Sequence, residues 1–296
     1  MLDATAVRYA SLAGGITLAY EELGDRDGMP LLLVAGLGSQ MIFWHDPLCD
    51  MLGERGLRVI RFDNRDSGLS THLEGVPDLQ AMMGGDRSSA VYDLKDMAAD
   101  AAALLDALGI ESAHVVGVSM GGMIAQTLAA EHPERVRSLT SMSSTTGARE
   151  VSQPTPQAQA ALMMPRPDTA EQAEANAVKW AHAVGSPGLF DEDRVRALSR
   201  AAYERAHDPT SFARQLAAIW AAGNRTESLH AIRAPTLVIH GALDPLIPPE
   251  AGRATAAAID GAELLMIDGM AHDMPPPLWH ELAAAIAGHV ERSSAA

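Results

Sequence analysis

Two short alternating segments, residues 7–12 and 16–20, flank Gly14-Gly15, a pair able to supply the positive φ of a tight turn. They predict an antiparallel hairpin at a sheet edge. "PLLLVAG" (30–36) and "LRVIRFD" (57–63) are unbroken apolar runs, the pattern of strands buried on both faces, with a helix over 47–55 between them. Over 92–108 the apolar positions Leu94, Met97, Ala98, Ala101, Leu104, Leu105 and Leu108 form one helical stripe, which Gly109 ends. The stretch "HVVGVSMGGMIAQTLAAEH" starts as a strand and finishes as a helix, and "RVRSLTSMSS" (135–144) reads as another strand. Such alternation implies right-handed crossovers and a mainly parallel sheet.

Residues 147–225 break the pattern. They hold no strand-like run, many alanines and the breakers "QPTPQ", "MPRPD" and "GSPG", which predict an inserted set of helices. Alternation resumes with strands over 234–241 and 262–269, a helix between them and a last helix over 278–290. The expected architecture is one α/β core built from 1–146 and 226–296, with 147–225 inserted as a helical cap. No repeat of fixed period is present.

With 47% hydrophobic and 20% charged residues, the 296-residue chain can bury a sizeable core, which excludes a disordered or fibrous protein. The net charge of −16 is spread along the chain without a Lys/Arg cluster, so nucleic acid is not an expected partner, and neutral substrates are favoured over anions. One cysteine, Cys49, excludes an internal disulfide and is read as a small buried residue. No eighteen-residue apolar run exists and "MLDATAVRYASLAGG" has no basic start, so the expected setting is cytoplasmic, away from membranes.

The chemistry centres on "GVSMG", Gly117 to Gly121, a G-x-S-x-G pattern between a β-branched run and an Ala/Met-rich helix. A side chain at so sharp a strand-to-helix turn sits in sparsely populated backbone angles, so its neighbours must be small. Such a bend lifts the Ser119 hydroxyl out of the sheet and turns the Met120 amide, at the positive end of the helix, toward an anion. The alternative is a serine that only caps the helix. A nucleophilic serine needs a histidine oriented by a carboxylate. Both should lie on loops after later strands, where open parallel sheets bind ligands. "TLVIHGALDPLIP" offers Asp244 and "LLMIDGMAHDMPPP" offers His272, in the chain order serine, acid, histidine. Among the competitors, His240 is read as a satisfied interior residue, His114 as preceding a strand at the far edge, His280 and His289 as solvated, and Asp268 as diverging from His272.

In these motifs the chain resembles the α/β-hydrolase superfamily from about residue 7 to 290. "RVIRFDNRDSGLS", "HVVGVSMGG" and "TLVIHGALDPLIP" are similar to the carboxylesterase group that includes aclacinomycin methylesterase. The resemblance implies an eight-stranded, mostly parallel sheet and a second oxyanion donor in "VAGLGSQ", the Leu37 amide after Gly36. Ala35 stands where the family usually has histidine, so the hydrogen bonds that support this loop must differ. Likewise "DNRDSG" stands in place of an Asp-x-Arg-Gly-x-Gly turn; Asp63 and Arg65 are expected to form a structural network beneath the site, and Asp66 replaces the usual glycine.

The implied activity is hydrolysis of small to medium, neutral carboxylic esters through an acyl-enzyme, by a monomer or homodimer. Carbon–carbon bond hydrolysis, lactone hydrolysis or cofactor-free perhydrolysis could use the same groups. A non-catalytic small-molecule receptor is the reading from a different class. No metal or organic cofactor is expected, since the chain has no H-E-x-x-H, Cys/His cluster or dinucleotide fingerprint. Gly36, Met163, Trp180, Phe190 and Trp220 are candidates to contact substrate, with Met164 and Phe212 as further candidates to line the cap, and "LQAMMGGDRSS" (79–89) is a candidate flap.

Overall fold

The apolar runs pair into one sheet. In the computed structural model, which describes residues 6–295, the strands are β1 (Arg8–Ser11), β2 (Thr17–Gly24), β3 (Met29–Val34), β4 (Leu57–Phe62), β5 (Ala113–Val118), β6 (Val136–Met142), β7 (Thr236–Gly241) and β8 (Glu263–Ile267). Residues 1–5, part of the segment read for a leader, lie outside the described residues. The order is β1-β2-β4-β3-β5-β6-β7-β8; β2 is antiparallel to both neighbours and every other pair from β4 onward is parallel. The first hairpin turns through Gly14 and Gly15, both at positive φ.

Strand residues alternate between two apolar cores, as a two-residue period requires. Leu32, Val34, Ile60, Phe62 and Val115 face one side, and Leu31, Leu33, Val59, Val116 and Val118 the other. The first side is covered by α3 (Leu94–Ala107) and α4 (Met120–Glu131), and the second by α1 (Asp46–Gly53) and α11 (Trp279–Ser294). Helix α3 starts in a reciprocal capping box of Asp93 and Asp96, which satisfies amides that a helix start otherwise leaves unpaired. Two short helices, α2 (Leu79–Met83) and α9 (Thr226–Leu229), pack on other helices, and α10 (Pro249–Ala258) links β7 to β8. Between β6 and β7 the chain forms α5 (Pro156–Leu162), α6 (Ala170–Val184), α7 (Glu192–Arg205) and α8 (Ser211–Ala222). Cys49 is fully buried in α1. Among the described residues no helix is long and apolar enough to cross a membrane.

Two histidines differ from their sequence reading. His114 lies within β5 rather than before it, buried, with Nδ1 2.8 Å from Ser138 Oγ. His289 is not solvated: α11 presents it inward and its Nε2 donates to Pro235 O at 3.2 Å. Its helix face, shared with Leu282 and Ile286, is the apolar one, and burial holds its imidazole below the ordinary value. Burial, with Arg137 and His289 adding repulsion, pushes His114 from 6.5 down to about 4.

The unfolded chain therefore takes up a proton at His114 near pH 6.5 that the folded chain accepts only near pH 4, so stability falls as pH drops through that interval and levels below it. In urea unfolding, His114→Gln is expected to lose less stability between these pH values than the parent, by on the order of 2–3 kcal/mol. An unchanged pH slope would contradict a neutral buried His114.

Candidate active site

Strand order reverses at β3, which pairs with β4 on one side and β5 on the other. Loops leaving the C-terminal ends of β3 and β5 therefore diverge and open a crevice, the usual ligand site of such sheets. Val34 pairs with Gly117 at that edge, so the β3 exit and the "GVSMG" bend lie side by side. Ser119 is held at φ 57°, ψ −120°, and its side chain makes no capping bond to α4. The close packing explains both glycines. A Cβ on Gly117 would lie 2.1 Å from Gly121 O, and one on Gly121 2.1 Å from Val34 O.

The structure brings Ser119, His272 and Asp244 together. His272 Nε2 lies 3.0 Å from Ser119 Oγ, and His272 Nδ1 lies 2.7 Å from Asp244 Oδ2. A carboxylate only accepts, so Nδ1 carries the proton and Nε2 is left as the base toward the hydroxyl. Asp244 is buried just after β7, and its Oδ1 accepts from the Leu246 and Ile247 amides at 2.9 Å each. His240, interior as read, donates from Nε2 to Ile247 O at 2.9 Å, yet its Nδ1 has no partner among the described residues. Ser119 follows β5 and His272 follows β8, three strand spacings away, roughly 14 Å. His272 is the fifth residue after Ile267, a stretch of extended chain of about 17 Å, enough to reach back over the sheet. Asp268 is exposed and His280 faces out.

The chain end of α6 grips this reaching loop. His272 N donates to Val184 O at 2.9 Å, Ala271 N donates to Ser186 Oγ at 2.9 Å, and the Ser186 amide and hydroxyl both donate to Asp273 Oδ1. Burial pushes the Asp273 carboxyl up, against the lowering effect of those hydrogen bonds. Ser186 belongs to "GSPG", legible from the sequence only as a turn.

After β3, residues Gly36 to Ser39 form a turn closed by Ser39 N donating to Gly36 O at 3.1 Å. A Cβ on Gly36 would lie 3.4 Å from Ser119 Cβ, so the turn is stacked on the bend. Among the described residues neither the Leu37 nor the Met120 amide donates to another group, and Met120 is the first residue of α4, where helix amides lack internal partners.

Over these groups α5, α6, α7 and α8 wall an open cavity of about 450 Å³. Leu37, His272, Met164, Trp180, Phe190 and Phe212 line it, so the Trp180 and Phe190 readings fall on its wall. Met163 and Trp220 do not line it. Met163 lies just past the last turn of α5 and is 47% exposed, whereas its neighbour Met164 faces in. Trp220 follows the buried stripe of α8, Arg214 to Ala218, and is half-buried outside the cavity. Gly36 lies behind the wall, against the bend. The 79–89 segment likewise stays off the cavity: Arg87 Nη1 donates to Ala221 O at 2.8 Å, which ties it to the end of α8.

Asp63 and Arg65 do not form one network. Asp63 accepts from Met41 N, Leu69 N and Arg205 Nη1, whereas Arg65 pairs with Asp100 of α3. Asp66, at φ 62° in the usual glycine position, is fully buried against Arg214 of α8, with Nε and Nη2 donating to its two oxygens at 2.9 and 2.8 Å. An aspartate tolerates left-handed backbone, so the position serves to tie the inserted helices down. Asp66, His72 and Asp208 gather ligand-type atoms within 4.8 Å, but Arg214 donates to both carboxylates and supplies the positive charge there.

A serine bend at the switch point of a mostly parallel sheet, with an acid and a histidine delivered by its last two strands, defines an α/β hydrolase. Residues 29–275 match the model of the alpha/beta hydrolase fold, and the chain belongs to that family. It is 31% identical to the rhodomycin D methylesterase DnrP of Streptomyces peucetius over 301 aligned residues, covering 94% of this chain and 96% of DnrP. Among solved structures it is similar to a hydrolase from Pseudomonas aeruginosa PA01 (26% identity, TM-score 0.73, 99% and 100% of the two chains). It is also similar to the enol-lactonase from Burkholderia xenovorans LB400 (25% identity, TM-score 0.72, 98% and 100%).

Arg214→Met would leave Asp66 buried without a countercharge, a change that typically costs about 3–5 kcal/mol. Chemical denaturation should show this loss; a variant as stable as the parent would mean that Asp66 does not depend on Arg214.

Proposed function

We propose that the chain is a carboxylesterase-type hydrolase in which Ser119 is the nucleophile, His272 the general base and acid, and Asp244 the group that orients the imidazole. The observation that carries this reading is the continuous relay from Asp244 through His272 to Ser119 Oγ, at 2.7 and 3.0 Å, beside a cavity that His272 and Leu37 help to line. Ser119 attacks the ester carbonyl as His272 takes its proton, and the Leu37 and Met120 amides receive the developing oxyanion. Collapse of that intermediate expels the alcohol, protonated by His272. Water, deprotonated by the same histidine, then cleaves the acyl-enzyme and frees the acid. No step calls on a group outside the chain's own residues and water.

The likeness to DnrP supports an ester of a small alcohol, with the acyl part filling the cavity. Helices α5 to α8 serve as a cap, and Trp180, Phe190 and Phe212 supply apolar contacts to that acyl part. The likeness to an enol-lactonase favours a second reading, a cyclic ester opened by the same groups. A comparison of turnover on a methyl ester and an enol lactone of similar size separates the two, since the better substrate identifies the class.

Two variants test the assignment. Ser119→Ala is expected to lower kcat by about 10⁶-fold, and Asp244→Asn, which favours the wrong imidazole tautomer, by about 10⁴-fold. A fluorophosphonate should label Ser119 in the parent; a protein that stays unlabelled while binding a small molecule tightly would be a receptor instead.

A further inference from the structure

The turn that carries the Leu37 amide follows Ala35, whose side chain offers no hydrogen bond, so its support must come from elsewhere. The structure shows where. Gly38 N donates to Gln215 Oε1 at 2.8 Å, and Gln215 Nε2 donates to Arg65 O at 2.9 Å. Gln215 is fully buried in α8, so both ends of its amide are satisfied away from water and its rotamer is fixed. With Arg214 it is one of two polar residues on the buried part of α8, within "RQLAAIW". The amide thereby joins three parts of the chain: α8, the turn after β3, and the turn after β4.

The geometry of the turn explains why this bond matters. Leu37 and Gly38 are its two central residues, Gly38 lies at φ 68°, and the Gly36–Ser39 closure sets its ends. The peptide between two such central residues can face either way, and the two orientations give different turn types. Gln215 accepts from Gly38 N and so selects one orientation, which fixes ψ of Leu37 and φ of Gly38. With the closure at one end and this anchor in the middle, the turn that carries the Leu37 amide is fixed before any charge develops beside it.

We propose that Gln215, delivered by the inserted helices, is a positioning residue for the oxyanion hole. The inference depends on the reading of Leu37 as an oxyanion donor. Other contacts reinforce the same turn from the insertion: Gln40 Nε2 donates to Ala202 O and Ala206 O, and Arg205 Nη1 donates to Gln40 Oε1. None of these reaches the central peptide. Gln215 alone among these bonds acts on the peptide next to Leu37, so its loss should affect the transition state more than the resting complex.

An alkyl trifluoromethyl ketone tests this directly. Ser119 Oγ bonds to its carbonyl carbon, the carbonyl π bond becomes an oxyanion, and the hydroxyl proton passes to His272 Nε2; the matching methyl ketone binds without this addition. In Gln215→Met, of similar length but unable to accept from Gly38, the trifluoromethyl ketone should bind about 10- to 100-fold more weakly, below the full loss of a donor. The methyl ketone should be unaffected, KM for p-nitrophenyl acetate should stay within about three-fold, and kcat should fall with the trifluoromethyl ketone affinity. Gln215→Glu, which retains an acceptor toward Gly38, should lie between the two. Concentrations are set by fluorophosphonate titration of Ser119, so only folded sites count. If Gln215→Met does not fold, Gln215→Asn, which withdraws the acceptor by one methylene, is read in the same way.

Equal weakening of both ketones, or unchanged trifluoromethyl ketone affinity, overturns the proposal. Failure of the ester reading would look different: parent enzyme that forms the trifluoromethyl ketone adduct yet turns over no ester, with the dependence on Gln215 still measurable.

Discussion

The close approach of β5 and α4 to β3 is the constraint on which the site depends. At Gly121 the helix lies so near Val34 O that a methyl group would stand 2.1 Å from it, and at Gly117 the strand lies as near to Gly121 O. Only backbone fits between these elements, so the chain can turn from strand to helix within one residue. That residue is Ser119, forced to φ 57°. The strain has a use: the hydroxyl leaves the sheet, the first amides of α4 stay unpaired, and the turn after β3 is brought against Ser119 Cβ. The proposed nucleophile and both proposed oxyanion donors thus come from one packing event.

A second dependence runs through the insertion. Its end at Val184 and Ser186 holds the loop that carries His272, and its last long helix holds the turn that carries Leu37 through Gln215. Buried ion pairs, Asp66 with Arg214 and Asp63 with Arg205, fasten the same helices to the turn after β4. Such pairs contribute little net stability over apolar packing but are costly to break singly, which suits a fixed attachment rather than a freely swinging cover. The helices over the cavity are therefore part of the scaffold that holds the His272 loop and the Leu37 turn, as well as the cavity wall.

Much of the fold was legible because its strands are buried on both faces and read as unbroken apolar runs. Ser119, Asp244 and His272 were legible because each follows a strand in a chemically demanding context: two glycines about a serine, and an acid and a histidine on successive strand exits. What the sequence hid were partners chosen by tertiary packing. Gln215 lies 177 residues from Gly38, and no local signal in its own helix marks it. Asp66 looked anomalous until Arg214 of α8 was found against it. The errors have the same origin. Met163 and Met164 are adjacent, and only the exact end of α5 decides which faces the cavity; His289 sits on a helix whose inward face could not be assigned in register.

The most direct test of this account is a crystal structure of the Ser119 adduct with an alkyl phosphonate. The account predicts phosphorus bonded to Ser119 Oγ, and the phosphoryl oxygen within hydrogen-bond distance of both the Leu37 and Met120 amides. Gly38 N should remain on Gln215, and the alkyl chain should run toward Trp180, Phe190 and Phe212. A phosphoryl oxygen turned away from these amides, or an adduct on another residue, would contradict it.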